Sequence, residues 1–165
     1  MSLHLILTGG TIDKFYNELG GELAFSESHV HDMLRQARVT DTPAIEIVMM
    51  KDSLEMTDED RAKIAGACVA APASRIIITH GTDTMSETAR FLKNIPELSS
   101  KTIVLTGAMV PYSFGIKSDA LFNLGMAFAF AQSLTPGIYI AMNGRAFSGG
   151  NVRKNKSLGV FSAIE

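Results

Sequence analysis

The sequence predicts an α/β fold, a three-layer domain of the Rossmann or flavodoxin kind around a mostly parallel sheet. Three observations predict it. Apolar runs of strand length alternate with helical segments along the chain. Two of these runs end in glycine turns that carry hydroxyl side chains, at residues 8–11 and 79–84. With 165 residues, of which 46% are apolar and 19% charged, the chain has the size and composition of one folded domain, which we expect to span residues 1–165.

The strands are the clearest elements. Short apolar runs bounded by glycine, proline or polar clusters are typical of strands that are covered on both faces. Five runs have this character: residues 3–7, 44–50, 75–79, 102–105 and 138–142. The stretch 10–26 is polar, contains glycines and is too long for an ordinary connection, so we expect a lid or binding loop there. Residues 143–155 hold several glycines and predict a hairpin or an irregular loop.

Helical segments separate the predicted strands. We expect them near residues 29–38, 57–71, 84–95 and 118–133. Thr57 and Asp60 have the spacing of a capping box, in which the side chain of each accepts the backbone N–H of the other. Thr84 and Glu87 have the same spacing, and we expect Thr84 to cap its helix in the same way. Ser118 is the expected cap of the last helix.

The turns that follow the strands carry the candidate chemistry. In a parallel sheet the carboxyl ends of the strands lie at one edge, so we expect the active site there. A threonine hydroxyl becomes a nucleophile when a neighbouring base takes its proton. Of the four histidines only His80 lies in such a turn, and a histidine at a strand end is more often structural than catalytic. A lysine with a lowered pKa can serve as the base, and Lys154, after a pair of glycines, is the candidate.

Composition and charge argue against several classes of function. The formal net charge of −2, with both signs scattered, gives no electrostatic reason to expect nucleic acid or an anionic membrane as a partner. No apolar stretch approaches the roughly 20 residues of a membrane helix, and the N-terminus lacks the pattern of a signal peptide. The single cysteine, Cys68, fits a reducing compartment. We therefore expect a cytoplasmic protein that acts on a small molecule.

Three turns also carry the sequence motifs of a known family. Residues 8–12 read Thr-Gly-Gly-Thr-Ile, residues 80–85 read His-Gly-Thr-Asp-Thr-Met, and residues 106–109 read Thr-Gly-Ala-Met. With segments 118–124 and 149–154 they resemble the bacterial-type L-asparaginase and glutaminase family in order and approximate spacing, over essentially the whole chain. The resemblance implies an amidohydrolase that converts L-asparagine to L-aspartate and ammonia through a threonine nucleophile and an acyl-enzyme. It implies no metal and no organic cofactor.

The resemblance also implies roles for the catalytic residues. Thr11 matches the family's nucleophile. Thr82, Asp83 and Lys154 match a second triad, in which Lys154 keeps the proton network around Thr82 basic. Tyr16 is the only tyrosine in the expected lid and is therefore the candidate for the tyrosine that assists Thr11. Which threonine attacks the substrate is a choice that the sequence leaves open.

The same resemblance implies how an amino-acid substrate is bound. Asp83 is similar to the residue that binds the substrate α-ammonium group, and Ser53 matches a serine that binds the α-carboxylate. Thr82 and Gly10 complete the expected binding set, Gly10 because a residue without a side chain lets the backbone approach the substrate closely. Leu54 stands where the family usually has a polar residue, often glutamine, so we expect one substrate contact to be missing.

Length separates this chain from the family's pattern. Family members usually carry a second, smaller domain, and a partner subunit's second domain completes each active site. This chain ends at Glu165 and is either a naturally short enzyme or a fragment. We expect the short enzyme, assembled as a homodimer or homotetramer, with a raised KM. Two rival functions are a non-catalytic amino-acid sensor and a phosphate-binding domain, although the second lacks a G-x-G-x-x-G or Walker pattern.

Overall fold

The structure, a computed structural model, describes residues 2–164 and confirms the predicted α/β fold. Its strands are β1 (Leu3–Gly9), β2 (Lys14–Asn17), β3 (Glu22–Phe25), β4 (Ala44–Lys51), β5 (Arg75–Thr79), β6 (Thr102–Thr106), β7 (Gly137–Met142), β8 (Arg145–Ser148), β9 (Val152–Asn155) and β10 (Val160–Ala163). Its helices are α1 (Val30–Gln36), α2 (Asp58–Ala70), α3 (Met85–Lys93) and α4 (Ala120–Ser133). Short 3-10 turns lie at Thr11–Asp13, Ser53–Glu55, Pro96–Leu98 and Tyr112–Lys117. Within residues 2–164, every helix is too short or too polar to cross a membrane.

Six strands form the central sheet, in the order β4-β1-β5-β6-β7-β8. The first five are parallel, and β8 pairs with β7 in the antiparallel direction. The chain places β4 on one side of β1 and then returns to place β5 on the other side. The order of the parallel strands therefore reverses between β1 and β5. In open α/β sheets a ligand crevice opens at such a point, beyond the carboxyl ends of the strands.

The inner strands contribute side chains to two apolar layers, one on each face of the sheet. Ile6 and Ile78 lie in the layer formed with α2 and α3, whereas Leu7 and Ile77 lie in the layer formed with α1 and α4. Every residue of β1 is buried, which explains why apolar residues predominate in the strand, where His4 and Thr8 are the polar ones. Because β1, β5 and β6 are parallel neighbours, the turns that follow them lie side by side at the carboxyl edge of the sheet.

One of the two predicted capping boxes is confirmed and the other is wrong. At the start of α2 the Asp60 N–H donates to Thr57 Oγ1 over 3.3 Å, and the Thr57 N–H donates to Asp60 Oδ2 over 3.0 Å. Thr84 precedes α3 without capping it. Its hydroxyl donates instead to the Ser53 carbonyl, 2.8 Å away, because the fold brings that carbonyl beside it. The N-cap position of α4 is occupied by Asp119, one residue later than predicted, although Ser118 Oγ accepts the N–H of Ala120, the first residue of the helix.

The stretch expected to be a long loop forms a β-hairpin. After the first 3-10 turn, β2 and β3 pair in the antiparallel direction. The Asp13 carboxylate accepts hydrogen bonds from Ser28 Oγ (2.9 Å) and from the His29 N–H (2.8 Å), and so joins the two ends of the hairpin. In the tail, β7 and β8 meet at Asn143 and Gly144, both with positive φ, which is typical of a type I′ turn. The stretch 143–155, expected to be a hairpin or an irregular loop, thus holds one strand from each of two hairpins, since β8 pairs with β7 and β9 pairs with β10.

Candidate active site

The first two glycine turns are in direct backbone contact where the strand order reverses. Gly10 has a φ of 81°, and a Cβ added there would lie 2.6 Å from the Cα of Gly81. Gly81 packs in turn against Ser53, because a Cβ added to Gly81 would lie 2.6 Å from Ser53 Cβ. Cβ atoms do not approach other atoms so closely, and both positions therefore require glycine. Three segments that the sequence assigns to the site thus lie together.

Lys154 joins Thr82 and Asp83 in one hydrogen-bonded group. Its ammonium group donates to Thr82 Oγ1 over 2.8 Å and to Asp83 Oδ1 over 2.9 Å. The group is enclosed, since the Lys154 side chain is 12% exposed and Thr82 is buried. An ammonium group has no acceptor, so the hydrogen of the Thr82 hydroxyl points away from Lys154. The Thr82 hydroxyl is therefore able to donate to a further group.

The strands β9 and β10 carry Lys154 to the site. They pair outside the central sheet, with Lys154 opposite Phe161. Phe161 is buried in the layer formed with α2 and α3, and its N–H donates to Asn143 Oδ1 over 2.8 Å. The hairpin is thereby attached both to the core and to the end of β7, and it holds the lysine on a supported strand.

A cavity of about 240 Å³ opens beside Asp83 and Lys154. Arg90, Arg153 and Lys156 also line it. Thr11, Ser53 and Thr82 do not line this cavity, so it lies beside Asp83 and Lys154 and is not the space in which the other candidate residues meet.

Thr11 begins the 3-10 turn that follows Gly10. It is partly exposed, and within residues 2–164 its hydroxyl has no hydrogen-bond partner, which leaves the oxygen open to a ligand. Tyr16 lies on β2 opposite Leu23 and is 57% exposed. In the described part of the chain it forms no hydrogen bond with Thr11 or Lys154, so the structure does not join it to the other candidate residues.

Ser53 lies in the 3-10 turn after β4 and is 2% exposed. Its Oγ accepts the Thr84 N–H over 3.3 Å, which leaves the hydroxyl hydrogen free to donate. The preceding Asp52 forms an ion pair with Lys14 of the hairpin and accepts the Leu54 N–H over 2.9 Å. Burial acts to raise the pKa of Asp52, but these hydrogen bonds and the charge of Lys14 outweigh it and hold the pKa below its usual value. The hairpin is thus tied to the segment that carries Ser53.

The third glycine turn, at residues 106–109, packs against the second. A Cβ added to Gly107 would overlap a carbonyl group of the second turn. The Asp119 carboxylate accepts the N–H groups of Met109 and Val110, each over 3.0 Å. Asn123 Nδ2 donates to the Gly107 carbonyl over 2.9 Å. The polar residues at the start of α4 therefore anchor this turn and do not enter the reaction site.

His80 is hydrogen-bonded within the second turn, as expected of a structural histidine. It is fully buried, with Nδ1 2.7 Å from the Gly81 carbonyl oxygen and Nε2 2.7 Å from Thr88 Oγ1. Burial lowers the pKa of His80 to about 4, so the ring is neutral near pH 7. Thr88 also accepts a hydrogen bond from Arg61. Sequence reasoning missed both residues, although an arginine on the buried face of α2 was a signal.

The match to a family model covers almost the whole chain. The family described as asparaginase, N-terminal, matches residues 2–164. The chain belongs to the asparaginase family. Among its relatives, the L-asparaginase of Thermococcus kodakarensis is 36% identical over 97% of this chain and 49% of that protein. L-asparaginase 2 of Escherichia coli is 39% identical over 51% of this chain and 24% of that protein.

Solved structures show the same relationship to the asparaginase family. The thermostable L-asparaginase of T. kodakarensis superimposes with a TM-score of 0.82 at 34% identity, covering 99% of this chain and 51% of that one. The probable cytoplasmic L-asparaginase of Campylobacter jejuni superimposes with a TM-score of 0.82 at 33% identity, covering 99% of this chain and 52% of that one. The chain thus spans about half the length of the asparaginases that it matches from end to end.

Proposed function

We propose that this member of the asparaginase family is an amidohydrolase that converts L-asparagine to L-aspartate and ammonia, with residues 1–165 as its catalytic domain. The observation that carries the proposal is the group formed by Lys154, Thr82 and Asp83, next to the turn of Gly10. The similarity to an L-asparaginase over 97% of the chain supports the choice of substrate. The reaction is a hydrolytic acyl transfer, which requires a nucleophile, a base and hydrogen-bond donors.

The substrate is bound through the two charged groups of its amino-acid head. One oxygen of Asp83 is engaged by the lysine, and the other accepts from the substrate α-ammonium group. The Ser53 hydroxyl donates to the α-carboxylate, since its oxygen already accepts a backbone N–H. Thr82 and the bare backbone of Gly10 complete the contact surface. Held in this way, the side-chain amide lies against Thr11 in an orientation that favours attack.

The reaction proceeds in two halves. Thr11 Oγ1 attacks the amide carbon and, assisted by Tyr16, gives up its proton to the network of Thr82 and Lys154. The C–N bond breaks, ammonia leaves with that proton, and an ester on Thr11 remains. Water then attacks the ester carbon and gives one of its protons, through the same network, to Thr11 Oγ1 as the ester bond breaks and L-aspartate leaves. Thr82 is the second candidate nucleophile because Lys154 contacts it directly.

The oxyanion that develops on the amide oxygen is stabilised by backbone donors. Within residues 2–164, the N–H groups of Thr11 and Thr82 donate to no other group of the protein. One such donor typically contributes about 3–4 kcal/mol to transition-state stabilisation. Thr82 is 6% exposed, so its N–H acts with little screening by water.

The test is ammonia release from L-asparagine and L-glutamine, measured in parallel. Thr11→Ala should lower kcat by a factor on the order of 10³ or more while the protein stays folded. Thr42→Ala, at an exposed threonine before β4, is the matched control and should keep full activity. Near-normal turnover by Thr11→Ala would move the nucleophile to Thr82. Binding of aspartate without ammonia release by the wild-type protein would instead indicate an amino-acid sensor.

Assembly and location form part of the same proposal. Ile116 is fully exposed and Phe122 is 64% exposed, and exposed apolar side chains of this size favour contact with another copy in a homodimer or homotetramer. The free, buried Cys68 and the description of the C. jejuni neighbour as cytoplasmic support a cytoplasmic location.

A further inference from the structure

A buried chain of hydrogen bonds runs from α2 to the second glycine turn. Arg61 Nε donates to Thr88 Oγ1 over 3.2 Å. The Thr88 oxygen lies 2.7 Å from His80 Nε2, and the other ring nitrogen lies 2.7 Å from the Gly81 carbonyl oxygen. Arg61 is 6% exposed, while Thr88 and His80 are fully buried. This series of hydrogen bonds therefore links a helix on one face of the sheet to the backbone next to Thr82.

The outer end of Arg61 is fixed by two carboxylates. Its NH1 group donates to Asp58 Oδ1 over 3.1 Å, and its NH2 group donates to Glu87 Oε2 over 3.2 Å. These two bonds hold the end of the guanidinium group, with Nε directed inward to Thr88. A guanidinium group remains protonated at every pH at which the protein is folded.

The Gly81 carbonyl sets the direction of the hydrogen bonds in this chain. A carbonyl oxygen only accepts, so His80 Nδ1 carries the ring hydrogen and donates it to Gly81. A neutral imidazole with its hydrogen on Nδ1 accepts at Nε2, so the Thr88 hydroxyl donates to it. The lone pairs of Thr88 Oγ1 then accept from Arg61 Nε, which holds the hydroxyl in that orientation.

The hydrogen bond from His80 to the Gly81 carbonyl fixes the plane of a peptide group in the site. In a trans peptide the C=O of Gly81 and the N–H of Thr82 point in opposite directions. The carbonyl is held toward His80, so the Thr82 N–H faces away from the ring. We propose that Arg61 is a positioning residue, which acts through Thr88 and His80 to hold the Thr82 N–H toward the reacting amide oxygen. The role rests on the proposed function, in which that N–H stabilises the oxyanion.

The surroundings of His80 keep the ring neutral, as this role requires. The groups that face it are Arg61 from α2, Thr88 from α3 and the carbonyl of its own turn. Burial lowers the pKa of His80 to about 4, and the nearby guanidinium charge acts in the same direction. The tautomer is therefore fixed throughout the neutral pH range.

Two substitutions each remove one hydrogen bond of this series, and two others serve as controls. Arg61→Met removes the donor, and Thr88→Val removes the hydroxyl while keeping the shape of the side chain. Thr88→Ser retains the hydroxyl, and Lys63→Met removes an exposed cation from the same helix. For each protein, kcat and KM for L-asparagine are measured, and nitrogen-15 NMR of the imidazole ring reports which nitrogen of His80 is protonated. The spectrum of His80→Gln assigns the signal.

The wild-type protein should show a single tautomer with the hydrogen on Nδ1. Arg61→Met and Thr88→Val should keep that tautomer, because the Gly81 carbonyl sets it, but should lower kcat about 10- to 100-fold with KM nearly unchanged, because a misplaced donor acts in the transition state. Thr88→Ser and Lys63→Met should behave like the wild type. If Arg61→Met fails to fold, the comparison of Thr88→Val with Thr88→Ser still tests whether these hydrogen bonds position the Thr82 N–H.

Three results would overturn the inference. They are a wild-type ring with its hydrogen on Nε2, an unchanged kcat in both Arg61→Met and Thr88→Val, and a rise in KM without a fall in kcat. If the wild-type protein releases no ammonia from any amide, the proposed function fails, and the ring spectra still show whether His80 donates from Nδ1 to the Gly81 carbonyl. The two failures are therefore distinguishable.

Discussion

At the scale of single residues, Lys154 combines two functions that two substitutions separate. Its charged form binds Asp83 over 2.9 Å, whereas only its neutral form accepts a proton from a threonine. Lys154→Arg keeps the positive charge but never becomes neutral, and Lys154→Met removes both the charge and the proton.

We predict that both variants are inactive at every pH, because neither accepts a proton from the threonine network. Ammonia release from L-asparagine across the pH range over which the protein is folded is the measurement. Lys63→Met, which changes an exposed lysine of α2, is the control and should remain active. Substantial activity of Lys154→Arg would show that the charge matters and the proton transfer does not.

Leu54 is the residue at which substrate binding is open to improvement. It follows Ser53 directly and is 65% exposed, in a family that usually has a polar residue there. Leu54→Gln should lower KM for amino-acid amides and leave kcat nearly unchanged, because a hydrogen bond to the head group acts equally in the ground and transition states. Ile47→Gln, at an exposed position of β4, is the control. An unchanged KM would place residue 54 outside the binding site.

At the scale of elements, the start of α2 is stabilised by a carboxylate with a lowered pKa. Asp60 accepts hydrogen bonds from Lys51 Nζ (2.6 Å) and from the Thr57 N–H (3.0 Å), and these lower its pKa from 3.8 to about 2. A carboxyl group whose pKa is lower in the folded state stabilises the protein above the unfolded value. That stabilisation is lost as the pH falls through the folded value.

Asp60→Asn should therefore lower the free energy of unfolding at neutral pH, and the difference from the wild type should shrink between about pH 4 and pH 2. Urea unfolding of both proteins at several pH values is the measurement. Asp32→Asn, at an exposed carboxylate in the first turn of α1, should have a small effect throughout. A difference between wild type and Asp60→Asn that is independent of pH would contradict the role assigned to the ionised carboxylate.

The elements differ in how much of them the sequence predicts. Strands such as β5 are predictable because burial on both faces demands an unbroken apolar run. The hairpin of β2 and β3 was missed because its residues are half-exposed or exposed and follow no clear apolar alternation. The capping box of Thr84 failed for another reason: a tertiary contact with Ser53 outweighs a local one.

The residues of the candidate site also differ in whether the sequence predicts them. Motifs place Thr82 and Asp83 in one turn, and the lysine that contacts them was predictable from the family's pattern. The chain from Arg61 through Thr88 was not predictable, because its members are separated by 27 residues and meet only when α2 packs beside α3.

At the scale of the whole molecule, the proposed assembly has a kinetic consequence. If another copy completes the site, specific activity in ammonia release should rise with protein concentration and level off where sedimentation velocity shows a dimer or tetramer. Ile116→Asp should shift both transitions to higher concentration, because it places a charge on an exposed apolar position. The control Lys117→Asp changes the neighbouring exposed residue without removing apolar surface. Specific activity that is constant over the concentrations at which the protein dissociates would show that each copy works alone.

The contact between Gly10 and Gly81 has a consequence for how such an enzyme acquires new substrates. The two turns touch through main-chain atoms, so their separation does not depend on any side chain. Substitutions at Leu54 or in the hairpin of β2 and β3 therefore change which amides enter the site, while the two glycine turns keep their spacing. Diversity introduced at either glycine alters the spacing itself. A library that spares these two codons should yield many more active variants with altered substrates than one that includes them.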